Sequence, residues 1–350
     1  MFDSITQNIS FCLVSLVSFY GFLFCVLEYV QFRVWGYMKM SSEGKVSPLN
    51  VEYLNDHDSE NVKISIIIGL KNEARYIGKT LMNLEATTID KRNVEIILVD
   101  GGCEDNSLDV VKASTGAISV IHTRADKSSS SRGAALNAGF ELVSGSLVLF
   151  IKADSLLAPG YDEVLRRAFR TNKELLVSSF TLSVEPQAPL RTSGYGPSTP
   201  RNNPMLEQQA MEAKFQAGNS RSYRFAHFFA NLRAKWCHLP SINQGMCLRT
   251  TVFRQRRFSE SLLLEDFELS RKLRYDSLVS CSSGVPRFIQ FKDTIISPSI
   301  TFKYMTVGIA KYVFLEQLAI LLFLLGNYTI LAVYNLCYLT IPKYTSWIKL

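Results

Sequence analysis

The chain has 350 residues, of which 47% are hydrophobic and 20% are charged, and its formal net charge is +7. This composition is typical of a globular protein, and its hydrophobic content also suits contact with a membrane. The length of the chain suits one large domain or two ordinary ones. The basic excess is scattered, with no zinc-finger spacing and no aromatic-interleaved basic array, so anionic lipid or phosphorylated ligands are favoured over nucleic acid. Seven cysteines without C-x-x-C spacing indicate reduced structural thiols rather than metal or disulfide chemistry.

Residues 1–35 are predicted to form a membrane anchor. The run from Ile9 to Leu27 carries no charge and approaches the roughly 20 apolar residues that cross a bilayer. A cleaved signal peptide is the main alternative, but the run lacks a basic n-region and a small-residue exit. Because Arg33 and Lys39 follow the run, the positive-inside rule predicts that the bulk of the chain lies in the cytosol.

Between residues 60 and 180 the pattern alternates between short apolar strands and amphipathic helices. Four strands are predicted, "KISIIIGL" from Lys63, "VEIILVD" from Val94, "ISVIH" from Ile118 and "SLVLFIKAD" from Ser146. Helical patterns follow the first three strands, and Asn72 is the candidate N-cap of the first helix. Repeated βα units require right-handed crossovers, so the prediction is an α/β domain with a doubly wound, mostly parallel sheet.

The turn "DGGCEDN" after the second strand concentrates negative charge where that strand ends. Glycine and polar residues suit any turn, but ligands bind at the carboxyl ends of strands in open α/β sheets. Gly101 and Gly102 would let backbone approach a ligand, and Asp105 is predicted to cap the following helix. The pattern assigns no role to Glu104.

The second half of the chain differs in composition and in hydrophobic pattern. A Pro- and Gly-rich loop begins near Val184, and "SYRFAHFFANLRAKW" then predicts a helix with an apolar stripe that includes Phe228, Phe229 and Trp236. We interpret the stripe as core-facing, with membrane-surface docking as the alternative. Residues 302–341, with the apolar run from Leu318 to Tyr338, predict a membrane-associated or transmembrane helix, against the alternative of a core helix.

Five segments, in this order, resemble family 2 glycosyltransferases with the GT-A fold. They are "SIIIGLKNEARYI", "IILVDGGCEDNS", "SSRGAALNAGF", "LFIKADSLLAPG" and "LLLEDFELSRKLR". The resemblance runs from Ile64 to Arg274 and implies a domain over 60–300, with a nucleotide-sugar half (60–180) and an acceptor half (181–300). The nearest branch reads H-A-D and G-D-Q-G, whereas this chain has Lys152-Ala153-Asp154 and, in the second motif, Asn243-Gln244-Gly245.

The resemblance implies a membrane-bound enzyme that moves a sugar from a UDP- or GDP-sugar to an acceptor hydroxyl with inversion. Asp266 would be the general base and Glu265 its helper, in an apolar setting that raises a carboxylate's pKa. No Q-x-x-R-W motif follows this pair, so the enzyme is expected to be non-processive. The implied donor-binding residues are Glu73, Asp100, Gly101, Arg132, Lys152 and Asp154, and the acceptor-side residues are Asn243, Gln244 and Gly245.

Asp154 is also the implied metal ligand, for Mn²⁺ or Mg²⁺. Only one carboxylate of a D-x-D pair remains, and Lys152 should repel a cation, so we expect weak metal binding. The expected partners are a nucleotide-diphospho-sugar, an acceptor of unassigned class (lipid, glycan or protein) and membrane lipid, but no nucleic acid. Two alternatives stay open, a polyprenyl-phosphate sugar synthase and a catalytically dead membrane-bound binding protein.

Overall fold

The structure is a computed structural model of the chain. It describes residues 62–114, 116–125, 131–183, 227–259, 264–279 and 287–296, together with helical positions between 12 and 30. The C-terminal helix predicted within 302–341, and most of the loop predicted after Val184, lie outside the described residues.

One eight-stranded sheet organises the described part of the chain, in the order β3-β2-β1-β4-β7-β6-β8-β5. The first four strands in that order are all parallel, as predicted. Beyond them the sheet is mixed, because β7 runs antiparallel to both β4 and β6 whereas β8 is parallel to β6. The strands are β1 (Ile64–Leu70), β2 (Val94–Asp100), β3 (Ser119–Arg124), β4 (Leu147–Lys152), β5 (Leu156–Leu157), β6 (Val177–Ser183), β7 (Met246–Arg249) and β8 (Phe288–Ile296).

Helices cover both faces of this sheet, which confirms the doubly wound prediction. One apolar core lies between the sheet and helices α2, α3 and α5, and the other lies beneath α4, α7 and α8. We use α1 for the helical positions between 12 and 30, and α6 for helix 227–237. The other helices are α2 (Ala74–Thr87), α3 (Ser107–Ala113), α4 (Arg132–Phe140), α5 (Tyr161–Thr171), α7 (Thr250–Gln255) and α8 (Glu265–Val279).

Strand β1 shows why its sequence is a continuous apolar run rather than an alternating one. Ile64, Ile66 and Ile68 enter the first core, whereas Ile67 enters the second. Both faces of a central parallel strand are covered, so the side chains that point to either face of the sheet need to be apolar. This burial fixes β1 at the centre of the sheet.

Two predicted details are wrong. Asn72 does not cap α2; its backbone has a left-handed φ of 54°, and its side-chain oxygen accepts a hydrogen bond from the Glu104 backbone at 2.8 Å. Glu73 holds the N-cap position without a side-chain cap bond. The third strand begins one residue later than predicted and ends at Arg124, because its pairing with β2 continues to Asp100.

The apolar stripe predicted on α6 does not face the core. Phe228 and Trp236 are 54% and 58% exposed, whereas His227 and Arg233 on the same helix are buried. Described positions of α1 pack against α6, with ring centroids 6.0 Å apart for Phe19 and Phe229. Within the described residues, no helix has both the length and the apolar character that a membrane crossing needs.

At the amino-terminal edge of the parallel strands lies a buried carboxylate, Glu95. Its oxygens accept hydrogen bonds from the hydroxyls of Ser65 at 2.5 Å and Ser144 at 2.7 Å, and Lys63 lies 2.6 Å away. Burial alone would raise the pKa of Glu95, but these partners together hold it below the ordinary value. The charge is therefore matched within the protein.

Candidate active site

The candidate site lies at the opposite, carboxyl-terminal edge of the parallel strands. Strand β2 ends at Asp100 and strand β4 ends at Lys152, on either side of the central strand β1. The acceptor-side turn also reaches this edge, because Met246 of the antiparallel strand β7 pairs with Phe150 near the end of β4. In open α/β sheets this edge is where ligands bind.

Asp100 is buried at the first turn of this edge. One of its carboxylate oxygens accepts backbone hydrogen bonds from Gly102 at 2.9 Å and Cys103 at 2.8 Å. Its other oxygen lies 3.7 Å from the guanidinium of Arg124. Burial would raise the pKa of Asp100, but the hydrogen bonds and Arg124 lower it, so the group is an ionised acceptor at neutral pH. Gly102 has a φ of 88°, which explains the glycine there.

Asp105 joins the starts of α2 and α3. Its carboxylate accepts hydrogen bonds from the backbone of Ala74 at 3.1 Å and of Ser107 at 3.0 Å, and also from the Ser107 hydroxyl. The Ser107 hydroxyl in turn accepts from the Glu73 backbone at 2.8 Å. These contacts fix the Glu73 backbone beside the Asp100 turn. The prediction that Asp105 caps α3 is wrong, because Asn106 holds the N-cap position, but the Asp105 carboxylate still accepts a hydrogen bond from the Ser107 backbone in the first turn of α3.

A second cluster forms at the end of β4. The ammonium of Lys152 lies 3.7 Å from a carboxylate oxygen of Asp154. The side chain of Lys152 is 10% exposed, and its nitrogen makes no hydrogen bond. His227 of α6 adjoins this cluster, where burial and then the Lys152 charge lower its pKa to about 4. The imidazole is therefore neutral at physiological pH.

A third group joins α4 to the start of α8. Ser131 caps α4 by accepting a hydrogen bond from the Ala134 backbone at 3.1 Å, so Arg132 is the first helical residue. The Arg132 guanidinium donates to Glu265 and lies 3.9 Å from a carboxylate oxygen of Asp266. The predicted donor-binding arginine and the predicted catalytic pair are therefore in one electrostatic group.

Asp266 also contacts the acceptor-side turn. One of its oxygens accepts a hydrogen bond from the Ile242 backbone at 2.9 Å, at the start of the 3₁₀ turn Ile242–Gln244. Gly245 closes that turn with a φ of 65°, and an added Cβ would approach Phe180 to 3.0 Å. The turn therefore requires glycine at this position.

Asn231 of α6 holds the same turn from its other side. Its amide oxygen accepts hydrogen bonds from Gln244 at 3.1 Å and Gln290 at 3.0 Å, and its amide pairs with the backbone of Leu182. Asn231 and His227 are four residues apart on α6 and therefore lie on one face of the helix. Neither residue could be identified from the sequence, because the contacts of both are with distant segments.

The two carboxylates at the start of α8 differ in environment. Glu265 is 2% exposed, and burial raises its pKa despite the opposing effect of Arg132. Asp266 is 8% exposed. Leu264, directly before the pair, has a φ of 61°, a costly backbone conformation for a leucine that is typical of functional sites. Leu262 and Leu263, two residues of the apolar run that was expected beside the pair, lie outside the described residues.

The residues around Asp154 do not fit a resident divalent cation. Such an ion takes several oxygen ligands, and among the described residues the Asp154 carboxylate lies 3.7 Å from the ammonium of Lys152, which would repel the ion. Across the described part of the chain, His, Cys, Asp and Glu form no group of three or more suited to a metal. The expectation of weak metal binding stays a prediction, and Lys152 is its physical reason.

The doubly wound sheet and the polar groups at its carboxyl edge define an α/β protein whose candidate ligand site lies at that edge. Residues 65–231 match the model described as Glycosyl transferase family 2. The mixed sheet is accordingly GT-A-like. This match confirms the family resemblance over the first four sequence segments, whereas the fifth segment, "LLLEDFELSRKLR", lies beyond its end at residue 231.

Curated relatives agree with this identification. An uncharacterized glycosyltransferase of Nostoc sp. is 32% identical over 32% of this chain and 34% of its own length. A probable glycosyltransferase of Sulfolobus acidocaldarius is 25% identical over 67% of this chain and 47% of its own. The chain thus spans less than half the length of these relatives.

A solved structure also resembles the chain. It is a mannosyltransferase from Pyrobaculum calidifontis in complex with GDP-Man and Mn²⁺. It is 13% identical to this chain, with a TM-score of 0.49, and the likeness covers 87% of this chain and 74% of that one.

Proposed function

We propose that this protein transfers a sugar from a nucleotide-diphospho-sugar to an acceptor hydroxyl, with inversion and without processive polymerisation. The observation that carries the proposal is the start of α8, where Asp266 contacts both the acceptor-side turn and the arginine of α4. These contacts connect the expected donor and acceptor halves through one carboxylate. The match to the family 2 model supports the same reaction class.

The donor would lie along the carboxyl edge. The Asp100 carboxylate is a buried, ionised acceptor suited to the imide edge of uracil or guanine. The Glu73 and Gly101 segments flank it, and Arg132 at the first turn of α4 combines a guanidinium with the positive end of a helix. Lys152 and Asp154 would face the sugar diphosphate.

Asp266 is the better candidate for the general base. A base has to reach the acceptor hydroxyl, and Asp266 is the more exposed of the two carboxylates, whereas Glu265 is bound to Arg132. Glu265 would position that arginine. The acceptor would approach over Asn243, Gln244 and Gly245, because the Ile242 backbone of this turn holds Asp266.

The first experiment is a thermal-shift screen of the purified protein with UDP- and GDP-sugars. A ligand at about 100 times its dissociation constant stabilises the native state by about 2.7 kcal/mol, which shifts the melting temperature by several degrees. Incubation of the stabilising donor with extracted lipid, glycan and protein acceptors then identifies the product class. If no nucleotide sugar shifts the melting temperature, the proposed function fails.

We further propose that the protein binds membrane lipid, with its catalytic domain on the cytosolic side. The supporting feature is an apolar surface on α1 and α6, and Lys235 is exposed beside it. Aromatic side chains next to a basic residue suit the interface of an anionic bilayer. This apolar surface comprises Leu16, Phe19, Tyr20, Leu23, Phe24, Leu27, Val30, Phe228 and Trp236, all of them exposed.

Co-sedimentation with phosphatidylcholine–phosphatidylserine vesicles tests this proposal. The double substitution Phe228→Ser and Trp236→Ser should weaken vesicle binding roughly tenfold or more, because two large apolar contacts are lost. Met82→Ser is the matched control, since Met82 is 72% exposed and lies outside the apolar surface. Equal vesicle binding by all three proteins would contradict the proposal.

A further inference from the structure

Lys152 carries a buried charge that its described surroundings match poorly. Its ammonium is nine-tenths buried and makes no hydrogen bond, and among the described residues its ion-pair partner is the Asp154 oxygen 3.7 Å away. The lysine at the amino-terminal edge is different, because Lys63 lies 2.6 Å from Glu95 and donates to the Ser144 hydroxyl. A buried ammonium without hydrogen-bond acceptors is costly, so its retention points to a partner outside the chain.

The position of Lys152 identifies the chemistry of that partner. Lys152 ends the strand next to β1 at the ligand edge, two residues before Asp154. An ammonium has three N–H donors, and at 3.7 Å the Asp154 carboxylate attracts it without a hydrogen bond. Oxygens of a diphosphate are anionic acceptors that can take these donors, as lysines do at other phosphate sites. The neutral His227 beside the cluster adds no competing positive charge.

We propose that the Lys152 ammonium supplies the positive charge that a divalent cation supplies between the two carboxylates of a D-x-D site. The inference rests on the proposed function and concerns the same donor site. It follows that the nucleoside diphosphate binds without a divalent metal. Asp154 then holds the ammonium in place rather than a metal ion, and the charge at the diphosphate remains when divalent ions are removed.

Titration calorimetry with UDP and GDP, in excess EDTA and in excess Mn²⁺, tests this inference by binding rather than by activity. The wild-type dissociation constant should be the same in both buffers. Lys152→Met, which keeps the length of the side chain without its charge, should bind roughly ten- to a hundredfold more weakly in EDTA. Lys152→Asp recreates two carboxylates, so its binding should be lost in EDTA and regained in Mn²⁺.

Two controls separate the possible failures. Lys63→Met removes a lysine at the opposite edge of the sheet and should leave the nucleotide dissociation constants unchanged. Wild-type binding that disappears in EDTA and returns with Mn²⁺ would overturn the inference while leaving the proposed function intact. If the wild type binds neither nucleotide in either buffer, the proposed function fails and the inference fails with it. The wild-type measurement decides the matter even if a Lys152 variant does not fold.

Discussion

The two edges of the parallel sheet treat buried charge in different ways. At the amino-terminal edge, Glu95 is surrounded by the hydroxyls of Ser65 and Ser144 and by the ammonium of Lys63. At the carboxyl-terminal edge, Lys152 is buried without a hydrogen bond, and burial raises the pKa of Glu265 although Arg132 is bound to it. Both edges belong to one sheet, so the difference comes from the local partners of each charge.

The difference shows how a stabilising polar cluster can be told from a binding site within one sheet. A buried charge that has all its partners within the protein has reached its lowest free energy in the folded chain. A buried charge that lacks them costs stability, and such a cost is tolerated where a ligand supplies the missing partner. Substitutions at the two edges should therefore have opposite consequences for stability and for activity.

The largest expected effect is at Asp266. We expect Asp266→Asn to lower the transfer rate roughly 10²-fold or more, because the amide cannot remove the acceptor proton, while nucleotide affinity changes little. Asp276→Asn is a matched control, since Asp276 is a buried carboxylate of the same helix, paired with Arg256 at 2.8 Å. Transfer rates under saturating donor provide the measurement. A near wild-type rate for Asp266→Asn would exclude Asp266 as the base.

At the amino-terminal edge the expected effect is on stability alone. Glu95→Gln should lower the free energy of unfolding by about 1–3 kcal/mol, because the amide cannot accept all the hydrogen bonds of the carboxylate. Urea unfolding measures this loss, and the nucleotide dissociation constants should remain those of the wild type. A change in nucleotide binding without a loss of stability would show that Glu95 belongs to a binding site rather than to a stabilising cluster.

The pH dependence of stability should have opposite signs for the two edges. The pKa of Glu95 is lowered on folding, so its contribution is present above its unfolded pKa and is lost as the pH falls toward the folded value. The pKa of Glu265 is raised, so its contribution is present below the unfolded value of about 4.3 and is lost as the pH rises toward the folded value. Each unit of difference corresponds to about 1.4 kcal/mol.

Urea unfolding between acid and neutral pH tests these signs. Glu265→Gln should remove the decline in stability above the unfolded pKa of glutamate, whereas Glu95→Gln should remove part of the loss of stability on acidification. If both variants change the free energy of unfolding over the same pH range, the two carboxylates do not differ as the structure indicates.

The smallest effect concerns Asp105, which lies at the ligand edge but has its partners within the protein. Its oxygens accept from the Ala74 and Ser107 backbones, so we expect Asp105→Ala to lower the free energy of unfolding by about 1 kcal/mol. Donor affinity should stay within about twofold of the wild type, since the side chain binds helix starts rather than a ligand. Glu104→Ala is the control at the neighbouring exposed position and should change neither quantity. A large loss of donor affinity would give Asp105 a direct role.

The sequence predicted the parallel half of the fold well, because its signal is local. Strand β1 is a continuous branched apolar run and β2 ends at an acidic glycine turn, and both lie where expected. The prediction that Asn72 caps α2 was wrong because its side chain accepts a hydrogen bond from the backbone of Glu104, which lies 32 residues further along the chain. The stripe on α6 was assigned to the core because periodicity locates an apolar face but does not say what covers it.

The site could be predicted only as a set of separate motifs. The location of Asp100 and of Lys152 at strand ends follows from the order of the strands. The pairing of Arg132 with Glu265 joins residues 133 positions apart, and nothing local encodes it. His227 had no signal at all, since one buried histidine in a helix is usually a core residue.

Helix α6 also sets the distance between the Lys152 cluster and the apolar surface on α1 and α6. His227 and Phe228 are consecutive residues, yet the first is buried beside Lys152 and the second belongs to the apolar surface. The Lys152 cluster and that surface are therefore separated by the diameter of one helix, about 10 Å. A bilayer in contact with the surface would hold its headgroups within roughly that reach of the sugar-diphosphate position, so a hydroxyl at the level of the headgroups could meet the donor without leaving the membrane.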